Sequence, residues 1–154
     1  MKRKALTITL AAVMAMGTCA VTASAADGDT YNIGICQLVQ HDALDAATQG
    51  FKDEVIKELG EEAVTFDEQN AQGDSNTCST IVNSFVSNNV DLILANATPA
   101  LQAAAAGTSD IPILGTSVTE YGVALGLDDF DGTVGGNISG TADLAPLDEQ
   151  AAML

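Results

Sequence analysis

The chain has 154 residues, with 21 acids against five bases and a formal net charge of −16. Such an acidic balance excludes nucleic-acid backbones and anionic membrane surfaces as partners, because both repel it. Apolar residues make up 47% of the sequence, enough for a packed core, so the acidity does not signal disorder.

The first element in chain order lies outside the fold. Lys2, Arg3 and Lys4 precede an uncharged, mostly apolar run from Ala5 to Gly17, and Ala23-Ser24-Ala25 supplies a small-x-small cleavage pattern. That order predicts a secretory signal over 1–25, with an apolar run too short to span a bilayer. Lipid attachment at Cys19 is the alternative, although Met16-Gly17-Thr18 matches the attachment pattern poorly. Either route predicts an exported protein, periplasmic or held at the cell surface. Beyond Ala25 only Lys52 and Lys57 oppose all 21 acids, a net −19. Cys36 falls in an apolar strand and Cys78 on a helix face. Two buried free thiols are expected, with pairing left open. With a single histidine, no metal site is expected.

Tyr31 to Leu38 is a short apolar run suited to a strand buried on both faces. Leu44, Ala47, Phe51, Val55 and Leu59 then recur at helical spacing after His41-Asp42, and Gly60 marks the helix end. Val64 to Asp67 reads as strand two. The loop NAQGDS leads into a helix carrying Cys78, Ile81, Val82, Phe85 and Val86, with Asp74 or Ser75 as N-cap. Val90 to Ala95 is strand three. Thr98-Pro99 opens a third helix, Thr98 as N-cap and Pro99 at the first helical position, closed at Gly107. Ile111 to Leu114 is strand four. This β-α-β-α-β-α-β order predicts an α/β fold, an open parallel sheet flanked by helices with right-handed crossovers. After Val118 the pattern loosens: 125–136 reads as loop, 137–139 as extended, and a new helix starts at Ala145 and is cut at Leu154. A truncated chain is the expectation.

In such sheets ligands bind beyond the carboxyl ends of the strands. There the sequence places Gln37, Gln40 and His41 after strand one and Asn70, Gln72 and Asp74 after strand two. Asn96, Thr98 and Pro99 follow strand three, and Thr116, Ser117 and Thr119 follow strand four. These are small, mostly neutral hydrogen-bonding groups, and three helix N-termini beneath them offer N–H groups to a carboxylate. A small polar ligand is predicted. A nucleotide is not, since no phosphate-loop motif or nearby base is present. Asp129, Asp131 and Gly132 do not complete a calcium loop, and no G-x-S-x-G supplies a nucleophile. Neither a cofactor nor enzymatic activity is expected.

The ordered series IGICQLVQHDALDAATQGFKDEV, FDEQNAQGD, VDLILANATPALQAA, DIPILGTSVTE and GGNISGTAD resembles the substrate-binding proteins of bacterial ABC importers. Within them it is most like the group that binds tryptophan and related aromatic amino acids. The resemblance implies two α/β lobes that close on a ligand. Residues 26–136 would form the first ligand-binding lobe, 137–144 the first hinge crossing and 145–154 the start of a second lobe that is mostly missing. It implies an amino-acid ligand against Gln37, His41, Asn70, Gln72, Thr98, Pro99, Ser117 and Thr119, with Thr141 and Asp143 from the crossing. Ser117, Thr119 and the N–H groups near Thr98 would suit the α-carboxylate, and Asp143 the α-ammonium. Val39, Ala97 and Pro99 would face a side chain. The implied partner is an ABC permease in the membrane, and the receptor itself a monomer. A departure is SVTEYGVALG, where the family pattern would place Asp-Pro at Glu120-Tyr121. Other roles compatible with the residues are a ligand-sensing module for a membrane receptor and an exported α/β enzyme.

Overall fold

The computed structural model describes residues 30–145 and 152–153. The signal, Cys19 and most of the helix expected after Ala145 lie outside the described residues. Strands β1 (Tyr31–Gln37), β2 (Val64–Asn70), β3 (Leu92–Asn96), β4 (Ile113–Val118) and β5 (Ile138–Ala142) form one sheet. All its strand pairs are parallel, in the order β2-β1-β3-β4-β5. The α/β expectation is therefore met. β5 extends the tentative 137–139 strand and adds it to the sheet.

Helix α1 (Asp42–Leu59) covers one face, while α2 (Ser75–Ser87), α3 (Thr98–Gly107) and the short α4 (Tyr121–Leu125) belong to the other. Period-2 alternation sorts the strand residues between these faces. Ile33 and Ile35 join Leu94, Phe51, Val55 and Phe66 beneath α1. Cys36, Ile93, Ala95 and Ile113 join Phe85, Val82, Leu101 and Ala104 on the opposite side. Gly34 shows how tightly α2 seats: a Cβ there would lie 2.7 Å from the Phe85 ring. That missing side chain lets Phe85 become fully buried, a burial worth about 1.5–3 kcal/mol.

Helix ends follow local chemistry. Gly60, at φ 91°, takes the positive-φ backbone that ends α1, its N–H bonded to the Ile56 carbonyl. Asp74, not Ser75, caps α2. The expected N-cap role of Thr98 is overturned: Ala97 occupies that position and Thr98 is the first helical residue. Strand four begins later than expected, at Ile113, because Pro112 cannot donate to the ladder; its carbonyl accepts from Ile93 N–H. Helix α4 is absent from the sequence expectation. It exists because Glu120 accepts from both Gly122 and Val123 N–H groups and Gly126 closes the turn at φ 64°.

Candidate functional site

The strand register fixes a polar row at the carboxyl edge of the sheet. Gln37 lies opposite Asn70 on β2 and Asn96 on β3, and Asn96 lies opposite Thr116 on β4. Backbone bonds then stitch the connections together: Ala71 N–H to Gln37 O, Gly73 N–H to Leu38 O, Leu38 N–H to Asn96 O, Ala97 N–H to Thr116 O, and Asp143 N–H to Val118 O. The structure thus brings all ten candidate residues to one edge. It does not bring them to one point. Asn70 and Asp143 are separated by four strand spacings, roughly 19 Å.

Gln37 does not face outward as expected. It is 4% exposed, and its side chain is fully engaged under the edge. Its Nε2 donates to Asp45 Oδ1 at 2.5 Å and to the Val39 carbonyl at 3.0 Å, while its Oε1 accepts from Thr48 at 2.7 Å. The reason is alternation: Gln37 shares the α1 face with Ile33 and Ile35. Fully buried Asn96 completes this network, its Nδ2 donating to Thr48 Oγ1 at 2.9 Å and to the Leu44 carbonyl at 2.8 Å. Asn96 Oδ1 is buried without a hydrogen-bond partner among the described residues, a cost of about 1–3 kcal/mol. Gln37 is therefore a positioning residue, which ties the first two turns of α1 to β1 and β3.

His41 is exposed and caps α1, its Nδ1 accepting from Ala43 N–H at 3.2 Å. Half-buried Asn70 accepts through Oδ1 from Gln72 N–H at 2.8 Å and Gln72 Nε2 at 3.2 Å, so these two amides first serve their own turn. Thr98 and Pro99 are half-buried at the start of α3. Ser117 sits where the β4–β5 register shifts, between Gly115 and Val118, and such irregularities re-aim side chains. Thr119, Thr141 and Asp143 are exposed. The Thr141 carbonyl accepts from Tyr121 Oη at 3.3 Å. Burial first, and the Asp143 charge second, push the Tyr121 phenol above its usual range.

The expectation of three open helix N-termini needs correction. His41 caps α1, whose first turn also carries Asp42 and Asp45. Asp74 Oδ1 accepts from Asn76 N–H at 2.6 Å and Thr77 N–H at 3.0 Å, closing α2. Glu120 closes α4 in the same way. Among the described residues only α3 has neither a side-chain cap nor an acid in its first turn. With Pro99 lacking a donor, the N–H groups of Thr98 and Ala100 have no intrahelical acceptor. The positive end of the α3 dipole is therefore unneutralised, in a chain otherwise rich in acids.

Backbone strain gathers at the same edge. Among the described residues five non-glycines have positive φ, and three of them, Gln72 (55°), Ala97 (90°) and Ser117 (55°), belong to the connections after β2 and β3 and to the end of β4. Ala97, at ψ 157°, occupies a region that is essentially glycine-only and costs about 1–3 kcal/mol. Strain of this kind concentrates at ligand sites. Two recesses lie beside this rim: about 580 Å³ between α4 and β5, lined by Phe130, Val134 and Ile138, and about 440 Å³ between α1 and β5. The first reaches the edge only at Thr119, Glu120, Ala142 and Leu144. These recesses are uncovered flanks of the sheet, whereas the convergent donors and the strain lie on its rim.

Thr48 and Glu120 are structural members of this site that the sequence reading did not select, and Asn96 and Ala97 take structural roles that it did not assign them. Two had a signal. Asn96 ends an otherwise apolar strand, and Thr48 interrupts the apolar stripe of α1 one turn after Leu44.

Comparison with known proteins agrees with this fold. The family model described as ABC transporter substrate binding protein matches residues 32–154. The chain is 44% identical over 124 residues to the tyrosine-binding protein of Clostridioides difficile (strain R20291), covering 77% of this chain and 34% of that protein. It superposes on a ligand-free, open substrate-binding protein with adhesive properties from Clostridium difficile at a TM-score of 0.74 and 42% identity, covering 81% of this chain and 43% of that one. It also superposes on an ABC domain in complex with L-Trp from Streptococcus pneumonia at a TM-score of 0.73 and 30% identity, covering 81% and 42%. The chain thus spans less than half the length of these relatives. On this evidence the chain belongs to the ABC transporter substrate-binding protein family.

Proposed function

We propose that the chain is the first lobe of the exported, monomeric receptor of an ABC importer, and that it takes an amino acid, most suitably an aromatic one. The lobe would be 26–136, the crossing 137–144 and the start of the second lobe 145–154. The observation that carries the ligand assignment is the open N-terminus of α3. An α-carboxylate suits the Thr98 and Ala100 N–H groups, with the hydroxyls of Thr98, Ser117 and Thr119 around it. Asp143 offers the counter-charge for the α-ammonium, beside Thr141. Val39, which is 37% exposed, and Pro99 offer apolar surface to a side chain. His41, Asn70 and Gln72 form the rim toward β2, and Gln37 holds the shelf from below. The tyrosine-binding and L-Trp-bound relatives support this ligand class.

Micromolar affinity corresponds to about −8 kcal/mol, shared between two lobes in a clamp. One lobe alone should therefore bind in the millimolar range, and it cannot present the closed form to a permease. Calorimetric titration of the full-length gene product with L-tyrosine, L-tryptophan and their carboxamides tests the assignment. The acid should bind at least 100-fold more tightly than its amide. Equal binding of the two would sink the carboxylate site, and micromolar binding by 26–154 alone would sink the need for a second lobe. Loss of labelled amino-acid uptake on deleting the gene separates import from sensing.

A further inference from the structure

Two thiols far apart in the sequence meet directly beneath the edge loops. Cys36 is the penultimate residue of β1, and Cys78 lies in the first turn of α2. Both are free, fully buried and part of one apolar cluster with Ala71, Ile81 and Phe85. The strand face that sets Gly34 against the Phe85 ring sets Cys36, two residues later, against Cys78, two helical turns earlier. Each thiol is close enough to bear on the ionisation of the other. Among the described residues no group of three or more His, Cys, Asp or Glu could hold a metal, so the pair is a dithiol without further ligands.

We propose that Cys36 and Cys78 join as an intramolecular disulfide when the chain folds in an oxidising compartment. The bond would rivet the end of β1 to the first turn of α2, under the 38–41 and 70–74 loops. Burial raises the pKa of both thiols, and for Cys36 the neighbouring Cys78 adds to the rise. Once folded, the dithiol is closed to exchange, since the thiolate is the reacting form. The bond therefore forms before the core closes. One thiolate attacks a disulfide oxidant, such as an exported thiol–disulfide oxidoreductase or glutathione disulfide, and displaces one oxidant thiol. The second cysteine thiolate then attacks the mixed disulfide and displaces the other. Two chain thiols are oxidised, one oxidant disulfide is reduced, and its two thiols carry the protons. The link closes a loop of roughly 40 residues containing α1 and β2, which should raise Tm by about 10 °C. Nothing in this inference depends on the ligand.

The test uses the purified 154-residue chain carrying Cys19→Ser, in which two thiols remain. It is refolded in a glutathione redox buffer, acid-quenched, denatured, treated with N-ethylmaleimide and weighed intact. The expected product is a monomer without maleimide or glutathione adducts, lighter by two hydrogens than the reduced chain. Its unreduced digest should join the Cys36 and Cys78 peptides, and reduction before refolding should lower Tm by about 10 °C. Two maleimide adducts, two glutathione adducts or disulfide-linked dimers would each overturn the proposal.

Discussion

Replacing Thr48 by Val tests whether the buried network beneath the edge carries stability. The side chains have nearly the same shape, so the change removes one hydroxyl. That hydroxyl donates to Gln37 Oε1 at 2.7 Å and accepts from Asn96 Nδ2 at 2.9 Å. Asn96 Nδ2 keeps the Leu44 carbonyl at 2.8 Å, so its loss is one ordinary hydrogen bond, about 0.5–1.5 kcal/mol. Gln37 Oε1 keeps only a 3.5 Å approach from Asn96. Leaving such a buried acceptor nearly unpaired costs about 1–3 kcal/mol. The added methyl returns part of this, about 0.8 kcal/mol, leaving a net loss of about 2 kcal/mol. In equilibrium urea unfolding with a slope near 1.5 kcal/mol/M, the midpoint should fall by about 1 M at unchanged slope. Thr80→Val is the control, because the Thr80 hydroxyl is exposed and bonds only within its helix, to the Asn76 carbonyl. A Thr48→Val midpoint within about 0.2 M of the parent would refute the reasoning.

Gly140→Ala should destabilise by at least about 2 kcal/mol in the same assay, because its Cβ would lie 2.2 Å from the Gly115 carbonyl and 2.1 Å from Tyr121 Oη; parental stability would mean β5 does not pair with β4 as described. Asp74→Ala removes both acceptor bonds from the α2 cap and should cost about 1 kcal/mol, read from the urea midpoint. Stability of the reduced chain, held in a reductant, should also decline in alkali. Cys36, Cys78 and Tyr121 all have folded-state pKa values raised above the ordinary 9.0 and 10.0. The unfolded chain therefore loses these protons first, so stability is intact below about pH 9 and falls as pH rises beyond it. Unfolding midpoints at pH 8 and pH 10.5 check this, and equal values would contradict the burial of these groups.

The fold was legible because burial on two faces leaves plain apolar runs in β1 and β3, while amphipathic stripes and a terminal glycine mark α1. The polar row at the carboxyl edge was legible too, since alternating β and α elements put the connection after each strand on that side. The orientation of individual side chains was not. Gln37 and His41 look alike as polar residues after a strand, yet alternation turns one into the core and leaves the other as a cap. Which helix end stays open was equally hidden. It depends on whether Asp74 and Glu120 fold back on their own helices, and on Ala97 taking a positive φ that its residue type disfavours. The meeting of Cys36 with Cys78 is a tertiary fact, set by how α2 slides along β1.

The outer side of β5 has a consequence for handling the protein. Among the described residues that strand pairs only with β4, four of its five residues are exposed, and Leu144 beyond it is 58% exposed. An unpaired strand edge flanked by apolar recesses is a template for self-association. Against it stands the repulsion of 21 acids opposed after Ala25 by only Lys52 and Lys57. That repulsion reaches about 10 Å at 0.1 M salt but only about 3 Å at 1 M. Colloidal stability of this lobe should therefore be a matter of ionic strength: clear solutions in dilute buffer, and clouding as salt uncovers the edge.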